Sequence, residues 1–274
     1  MRPVPHPTRM SPDQYFLTDG IRLRYRDEGA GPGVVFVHGW TLDLDMWDPQ
    51  ADALKHHFRV IRFDRRGFGL SSGRPDLLQD VADVIELCRY LNVQPVGCVG
   101  MSQGARVALQ LAATAPQLAA CLVLDGPPHV SASPETLPDD VNLLQLRELA
   151  RTQGMEAFRR QWAGHPLTSL ETADPIPRQL VDEMIARYSG ADLLADSATQ
   201  VPTAPAFTLN AIAQPVLVLN GASDTPSRLR AGQALAQSLP RGKRAIVPAA
   251  RHLANLDNPA VYNSLLLRFF LLHL

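Results

Sequence analysis

The stretch VGCVGMSQGARVAL, residues 96–109, decides the fold. Its valine-rich start, residues 96–99, is typical of a strand buried on both faces, and residues 105–109 form a strong helical pattern. Between them, residues 100–104 match G-x-S-x-G, the sharp strand-to-helix turn that lifts a serine hydroxyl clear of a sheet. The pattern therefore predicts that Ser102 is a catalytic nucleophile.

A second G-x-S-x-G match, residues 69–73, is centred on Ser71. It follows the charged residues Arg65 and Arg66 and runs into Arg74-Pro75, so neither a strand nor a helix adjoins it. Because the nucleophile turn requires both elements, we interpret Ser71 as a chance match.

A serine nucleophile needs a histidine base and an acid that orients the histidine. In the strand-turn-helix context these follow the serine in the order acid, then histidine. His252 lies between the last predicted strand and the last predicted helix, which favours it as the base. Asp224, just after the strand-like residues 216–219, is the favoured acid. Asp125, after a similar strand, is the alternative acid, or else it caps the first turn of the segment that follows.

The negative charge that develops on the substrate oxygen needs two backbone N–H donors. One is expected from Gln103, directly after the nucleophile at a helix N-terminus. The other is expected from Trp40, since Gly39 permits an unusual turn after the strand-like residues 34–37. His38 precedes this turn, and we interpret it as a structural hydrogen-bonding residue rather than the base.

Apolar runs alternate with helical patterns along most of the chain, which predicts a doubly wound α/β sheet that is mostly parallel. Asp19-Gly20 lies between two strand-like runs and predicts an antiparallel hairpin at the start of that sheet. The predicted strands after the hairpin are residues 34–37, 60–63, 96–99, 121–124, 216–219 and 244–247. The predicted helices are residues 76–91, 103–115, 228–238 and 260–270.

Residues 127–205 break this alternation. They contain helical patterns at 141–151, 155–162 and 178–188, with no strand-like run, and predict a helical lid or cap inserted between two strands. The α/β core is accordingly assigned to residues 15–126 and 206–274. Residues 1–14, with four prolines, are expected to form a flexible N-terminal arm.

Within the hairpin, Arg22, Arg24 and Arg26 alternate with apolar residues. A period of two indicates one buried face and one face in water. We therefore expect the three arginines to lie on a solvated strand face.

Composition limits the partners. With 26 basic and 27 acidic residues the net charge is -1, which predicts no nucleic acid and no anionic membrane as partner. The three cysteines are scattered and are expected to be buried thiols in a reducing compartment, which favours a cytoplasmic location. The apolar residues 265–274 are too few to span a bilayer and predict a packed terminal helix.

The chain resembles the α/β-hydrolase superfamily, especially esterases, enol-lactonases and cofactor-free haloperoxidases or perhydrolases. The residues that carry this resemblance are His38-Gly39-Trp40 through Met46-Trp47, the loop 64–71, the Ser102 turn, and the loops of Asp224 and His252. The resemblance covers about residues 15–126 and 212–272 and implies an enzyme without metal or cofactor. Relatives with aspartate at the turn are dehalogenases and epoxide hydrolases, so Ser102 argues against both. Gln103 departs from the methionine or leucine of many relatives.

Together these features predict a serine hydrolase that cleaves a small carboxylic ester or lactone through an acyl-enzyme on Ser102. Two alternatives stay open. One is a perhydrolase, in which hydrogen peroxide replaces water. The other is a small-molecule receptor or signalling module built on the same fold.

Overall fold

Strands and helices alternate along the chain in the order that the sequence predicts. The computed structural model describes residues 11–129, 141–195 and 208–274. Within these residues, one eight-stranded sheet forms the centre of the fold. Its strands are Gln14–Thr18 (β1), Ile21–Glu28 (β2), Gly33–Val37 (β3), Arg59–Phe63 (β4), Val96–Met101 (β5), Ala119–Asp125 (β6), Val216–Gly221 (β7) and Gly242–Val247 (β8).

The strand order is β1-β2-β4-β3-β5-β6-β7-β8. Strand β2 is antiparallel to both β1 and β4, and the remaining pairs are parallel, which confirms the predicted mostly parallel sheet with an antiparallel start. The chain crosses from β3 to β4 on one side and then returns to β5 on the other. Ligands of such sheets bind where the strand order reverses, beside the carboxyl ends of the strands. The loops after β3 and β5 flank that point.

Helices cover both faces of the sheet, as expected for a doubly wound fold. Apolar residues of α2, α3 and α7 form one buried cluster, and those of α1 and α9 belong to a second cluster on the opposite face. The helices are Asp48–Leu54 (α1), Leu77–Tyr90 (α2), Gln103–Thr114 (α3), Leu143–Ala163 (α4), Pro175–Arg187 (α5), Ala191–Leu194 (α6), Pro226–Ser238 (α7), Ala254–Asp257 (α8) and Pro259–His273 (α9). Sequence patterns did not predict α1, α6 and α8, which are too short to show a helical period.

The hairpin turns where predicted. Asp19 and Gly20 have φ angles of 47° and 75°, and Thr18 pairs with Ile21 across the turn. Positive φ at both central residues is the geometry of a primed two-residue turn, whose twist matches that of the strands it joins.

The solvated arginine face was predicted wrongly for two of its three residues. Arg22 is exposed, but Arg24 is 3% and Arg26 8% exposed. Arg24 pairs with Asp13, Asp45 and Asp64, at 2.8, 2.8 and 3.4 Å. The period of two identified a common face correctly. Segments distant along the chain cover that face and bring acidic residues to it.

The helices α4–α6, called here the insertion helices, lie between β6 and β7. Gly154, with φ 84° and ψ 168°, interrupts the helical path of α4 between the two helical patterns seen in the sequence. Residues 130–140 and 196–207 are outside the described residues, so the limits 127 and 205 stay a prediction. Of the predicted arm, residues 1–10 are likewise outside, while Gln14 begins β1.

The C-terminal apolar segment belongs to α9, whose Leu266 and Phe270 are fully buried. In the described parts of the chain, no helix combines the length and the apolar character that a membrane span requires. The three cysteines are free and buried, and burial raises the pKa of each thiol.

The buried arginine provides a stability test. Asp64 is fully buried, and its pKa is raised to about 7 by burial and by the charge of Asp43, while Arg24 lowers it. Replacing Arg24 with methionine leaves the Asp64 charge uncompensated, so we expect a loss of about 3 kcal/mol in the free energy of unfolding at about pH 8. In the unfolded chain the Asp64 carboxyl has a pKa of about 4. At about pH 6 the Asp64 carboxyl of the folded variant becomes protonated and no longer carries an unpaired charge. The loss in the free energy of unfolding is therefore smaller at that pH.

Urea unfolding at the two pH values measures this effect. Arg22, the exposed neighbour of Arg24 on the same strand face, provides the matched control. Arg22→Met is expected to lower the free energy of unfolding by under about 1 kcal/mol at both pH values. Equal losses in the two variants would contradict the assigned role of Arg24.

Candidate active site

Ser102 occupies a strained turn between β5 and α3. Its φ of 50° and ψ of -110° are unfavourable for a residue with a side chain. A Cβ atom on Gly100 would stand 2.3 Å from the Gly104 carbonyl oxygen, and one on Gly104 would stand 2.3 Å from that of Val37. The two glycines are therefore required by the close passage of strand, helix and neighbouring loop. Ser102 itself is half-buried, at the edge predicted for a nucleophile.

Ser71, the serine of the second motif, holds its loop in place through hydrogen bonds. Its hydroxyl donates to the Asp64 carbonyl oxygen at 2.7 Å and accepts from the Arg24 N–H at 2.8 Å. The Ser71 hydroxyl thus acts as a donor and as an acceptor in joining this loop to β2. This structural role agrees with the interpretation of the second motif as a chance match.

His252 and Asp224 form a buried pair at the same end of the sheet. The Nδ1 atom of His252 lies 3.0 Å from Oδ1 and 3.2 Å from Oδ2 of Asp224. Asp224 also accepts hydrogen bonds from the Thr225 N–H and the Asn220 amide. Burial acts to raise the pKa of Asp224, but the His252 ring and these donors outweigh it, and the pKa is lowered. The carboxylate therefore stays ionised and holds the Nδ1 proton, which leaves Nε2 free to accept one.

Asp125, the alternative acid, has a different partner. Its Oδ2 accepts a hydrogen bond from the Tyr262 hydroxyl of α9 at 3.2 Å. Burial, and then the nearby charge of Asp224, raise the pKa of Asp125 well above its ordinary value. Among the described residues, Asp125 thus bonds to Tyr262 and makes no hydrogen bond to the His252 ring. The first turn of the segment that Asp125 was alternatively predicted to cap lies outside the described residues.

The end of β6 contacts both the serine turn and the histidine. The Ser102 N–H donates to the Asp125 carbonyl oxygen at 2.7 Å. At Gly126, a Cβ atom would stand 2.6 Å from Cε1 of His252. Among the described residues no hydrogen bond joins the Ser102 hydroxyl to the His252 ring. Such bonds are often long before substrate binds. The structure brings Asp224 and His252 into contact and places both beside the turn of Ser102 through this two-residue segment.

His38 orients the peptide that carries the second predicted donor. Its Nε2 accepts from the Arg65 N–H at 2.9 Å, so the ring proton is on Nδ1, which donates to the Gly39 carbonyl oxygen at 2.8 Å. Burial, with the charge of Arg65, holds the pKa of His38 well below its usual range, and the ring is neutral. In a trans peptide the C=O and N–H point in opposite directions. Holding the Gly39 oxygen toward His38 therefore turns the Trp40 N–H away from His38.

The insertion helices hold the side chains around this peptide. The Trp40 indole donates to Asp192 Oδ2 at 2.7 Å, and the Tyr188 hydroxyl donates to the other oxygen of Asp192. The Trp162 indole donates to Thr41 Oγ1 at 2.7 Å, and its ring meets the Trp40 ring edge-on. Sequence reasoning missed Asp192 and Thr41, because no local pattern links residues more than 120 positions apart.

A second group of contacts ties α5 to the same loop. The Arg187 guanidinium donates to Asp43 Oδ2 at 2.9 Å and to Asp45 Oδ2 at 2.8 Å. Asp45 also pairs with Arg24, so this charge network continues to the hairpin. Within the described residues, no group of three histidine, cysteine or acidic side chains has an arrangement that could hold a metal ion.

Comparison with known proteins agrees with this architecture. Residues 32–259 match the family described as alpha/beta hydrolase fold. A Mycobacterium tuberculosis protein that carries the name non-heme bromoperoxidase BpoC is 30% identical over 91% of this chain and 98% of its own.

Two solved structures are similar along nearly the whole chain. A thermophilic esterase from Thermogutta terrifontis has a TM-score of 0.81 at 25% identity, covering 96% of this chain and 100% of its own. The enol-lactonase from Burkholderia xenovorans has a TM-score of 0.78 at 26% identity, covering 94% and 99%. The esterase and the enol-lactonase thus have the same fold as this chain. Because the family match spans most of the sequence, this chain belongs to the α/β-hydrolase fold family and is a hydrolase of that family.

Proposed function

We propose that this protein cleaves small carboxylic esters or lactones through an acyl-enzyme on Ser102. The observation that carries the proposal is the contact of 3.0 Å between His252 Nδ1 and Asp224, next to the strained turn of Ser102. The similarity to an esterase and an enol-lactonase supports the same bond type. The expected substrate is a small molecule, and the reaction needs no metal or cofactor.

The mechanism assigns one role to each group. His252 Nε2 takes the Ser102 proton as the serine oxygen attacks the substrate carbonyl, and Asp224 holds the ring in the correct tautomer. The N–H groups of Gln103 and Trp40 hold the oxyanion, at a helix N-terminus and at the peptide oriented by His38. His252 then protonates the leaving alcohol, and the same residue activates the water that releases the acid.

Removal of the nucleophile is the first test. Ser102→Ala is expected to lower kcat for p-nitrophenyl butyrate by at least about a thousandfold, because it removes the oxygen that attacks the ester in the proposed mechanism. A fluorophosphonate probe, analysed by peptide mapping, is expected to label Ser102 in the wild type.

Ser71→Ala is the matched control, since it removes the serine of the second motif. Its folded fraction is expected to keep both turnover and labelling. Full turnover by Ser102→Ala, or labelling of another residue, would end the proposal.

The choice of acid is tested by two isosteric changes. Asp224→Asn is expected to lower kcat about 10³- to 10⁴-fold, because the amide no longer selects the tautomer with a free Nε2. Asp125→Asn changes a carboxyl that is bonded to Tyr262 rather than to His252 into an amide of similar shape, and it is expected to lower kcat less than about tenfold. Steady-state kinetics on the same ester measures both. The reverse order of the two losses would assign the acid role to Asp125.

A perhydrolase activity is the second candidate, supported by the similarity to the protein named as a bromoperoxidase. Hydrogen peroxide would replace water in attacking the acyl-enzyme, releasing a peracid and the free serine. Incubation with acetate and hydrogen peroxide is then expected to form peracetic acid with the wild type and none with Ser102→Ala. Formation equal to the enzyme-free control, from an enzyme that hydrolyses esters, would exclude this activity.

A further inference from the structure

A buried arginine holds the side chain of the residue next to the nucleophile. The Arg65 guanidinium donates from Nη1 to Oε1 of Gln103 at 2.8 Å. Arg65 is 1% exposed, whereas Gln103 is half-buried at the first position of α3. The predicted role of Gln103 uses only its main chain, so this side-chain contact is not explained by the oxyanion site.

The contact decides which way the Gln103 amide is turned. A guanidinium group has only donors, so the atom facing it must be the amide oxygen and not the nitrogen. The NH₂ group is therefore directed elsewhere. Within the part of the chain that the structure describes, it makes no hydrogen bond, and it is not among the buried polar atoms that lack a partner. Gln103 thus presents an accessible donor one residue from Ser102.

Arg65 is itself firmly held. Its Nε and Nη2 lie 2.8 and 2.7 Å from the buried Asp80 carboxylate, and its guanidinium lies 4.8 Å from the centre of the Phe68 ring. Its main-chain N–H donates to His38. A donor fixed in advance by such a support loses little conformational entropy when a ligand binds.

We propose that Gln103 is a specificity-determining residue whose NH₂ group donates to an oxygen of the substrate close to the reacting carbonyl. This inference rests on the proposed ester or lactone hydrolysis. The substrate class is esters or lactones with an ether, keto or hydroxyl oxygen within a few bonds of the scissile carbonyl, on the acyl or the alcohol side. A hydrocarbon chain at the same position removes water from the Gln103 NH₂ group without offering it a hydrogen-bond acceptor. The transition state is therefore bound more weakly.

The test uses pairs of esters in which one oxygen replaces one methylene. On the acyl side the pair is p-nitrophenyl methoxyacetate and p-nitrophenyl butyrate. On the alcohol side it is 2-methoxyethyl butyrate and n-butyl butyrate. For each pair the ratio of kcat/KM values is measured with the wild type and with variants, so the intrinsic reactivity of each ester cancels between enzymes.

Two variants remove the donor in different ways. Gln103→Glu keeps the size and the oxygen that faces Arg65 but loses the NH₂ group, and Gln103→Leu removes the whole polar end. In both, the oxygen-to-methylene ratio of at least one pair is expected to fall about three- to tenfold, the effect of one hydrogen bond. Any general loss in oxyanion stabilisation affects both members of a pair equally and leaves the ratio unchanged.

Unchanged ratios in both variants, for both pairs, would overturn the assignment of Gln103. Failure of the proposed function looks different, because the wild type would then not hydrolyse any of the four esters through Ser102. Labelling of Ser102 by the fluorophosphonate probe in each variant shows that the protein is folded and that the nucleophile is intact.

Discussion

The left-handed backbone of Ser102, held between Gly100 and Gly104, is the constraint on which the rest of this site depends. At this turn the strand and helix backbones pass so close that neither glycine position has room for a Cβ atom. The same approach brings the start of α3 against the end of β3. The two segments expected to supply oxyanion donors are therefore adjacent because of the geometry of one turn, and the donors need no ligand to be brought together.

The end of β6 links this turn to the histidine. The Asp125 carbonyl oxygen accepts from the serine N–H, and Gly126 leaves room for the His252 ring. Parallel strands place these loops at one edge of the sheet, although they are far apart along the chain. The pKa values of the two buried carboxyls there shift in opposite directions. Burial acts to raise both, but His252 and hydrogen-bond donors lower the pKa of Asp224, whereas burial and the charge of Asp224 raise the pKa of Asp125 well above its ordinary value.

The insertion helices bind side chains of the loop that follows β3. Asp192 holds the Trp40 indole, and Arg187 binds the acidic residues that follow in the same loop. A displacement of these helices would therefore be transmitted to the peptide between Gly39 and Trp40, which His38 orients. On the other side of that peptide, Arg65 joins His38 to the Gln103 side chain. Both expected oxyanion donors thus belong to residues that are supported by a buried network of side chains.

Sequence alone determined the features that depend on local chemistry. The strand, serine turn and helix at residues 96–109 follow from periodicity and from two glycines, and the hairpin follows from Asp19-Gly20. Tertiary structure decided what depends on which segments meet. It buried Arg24 against distant aspartates and paired His252 with Asp224 rather than Asp125. Partners such as Arg65 and Gln103 leave no periodic trace, since the energy of a long-range contact depends on packing that local sequence does not specify.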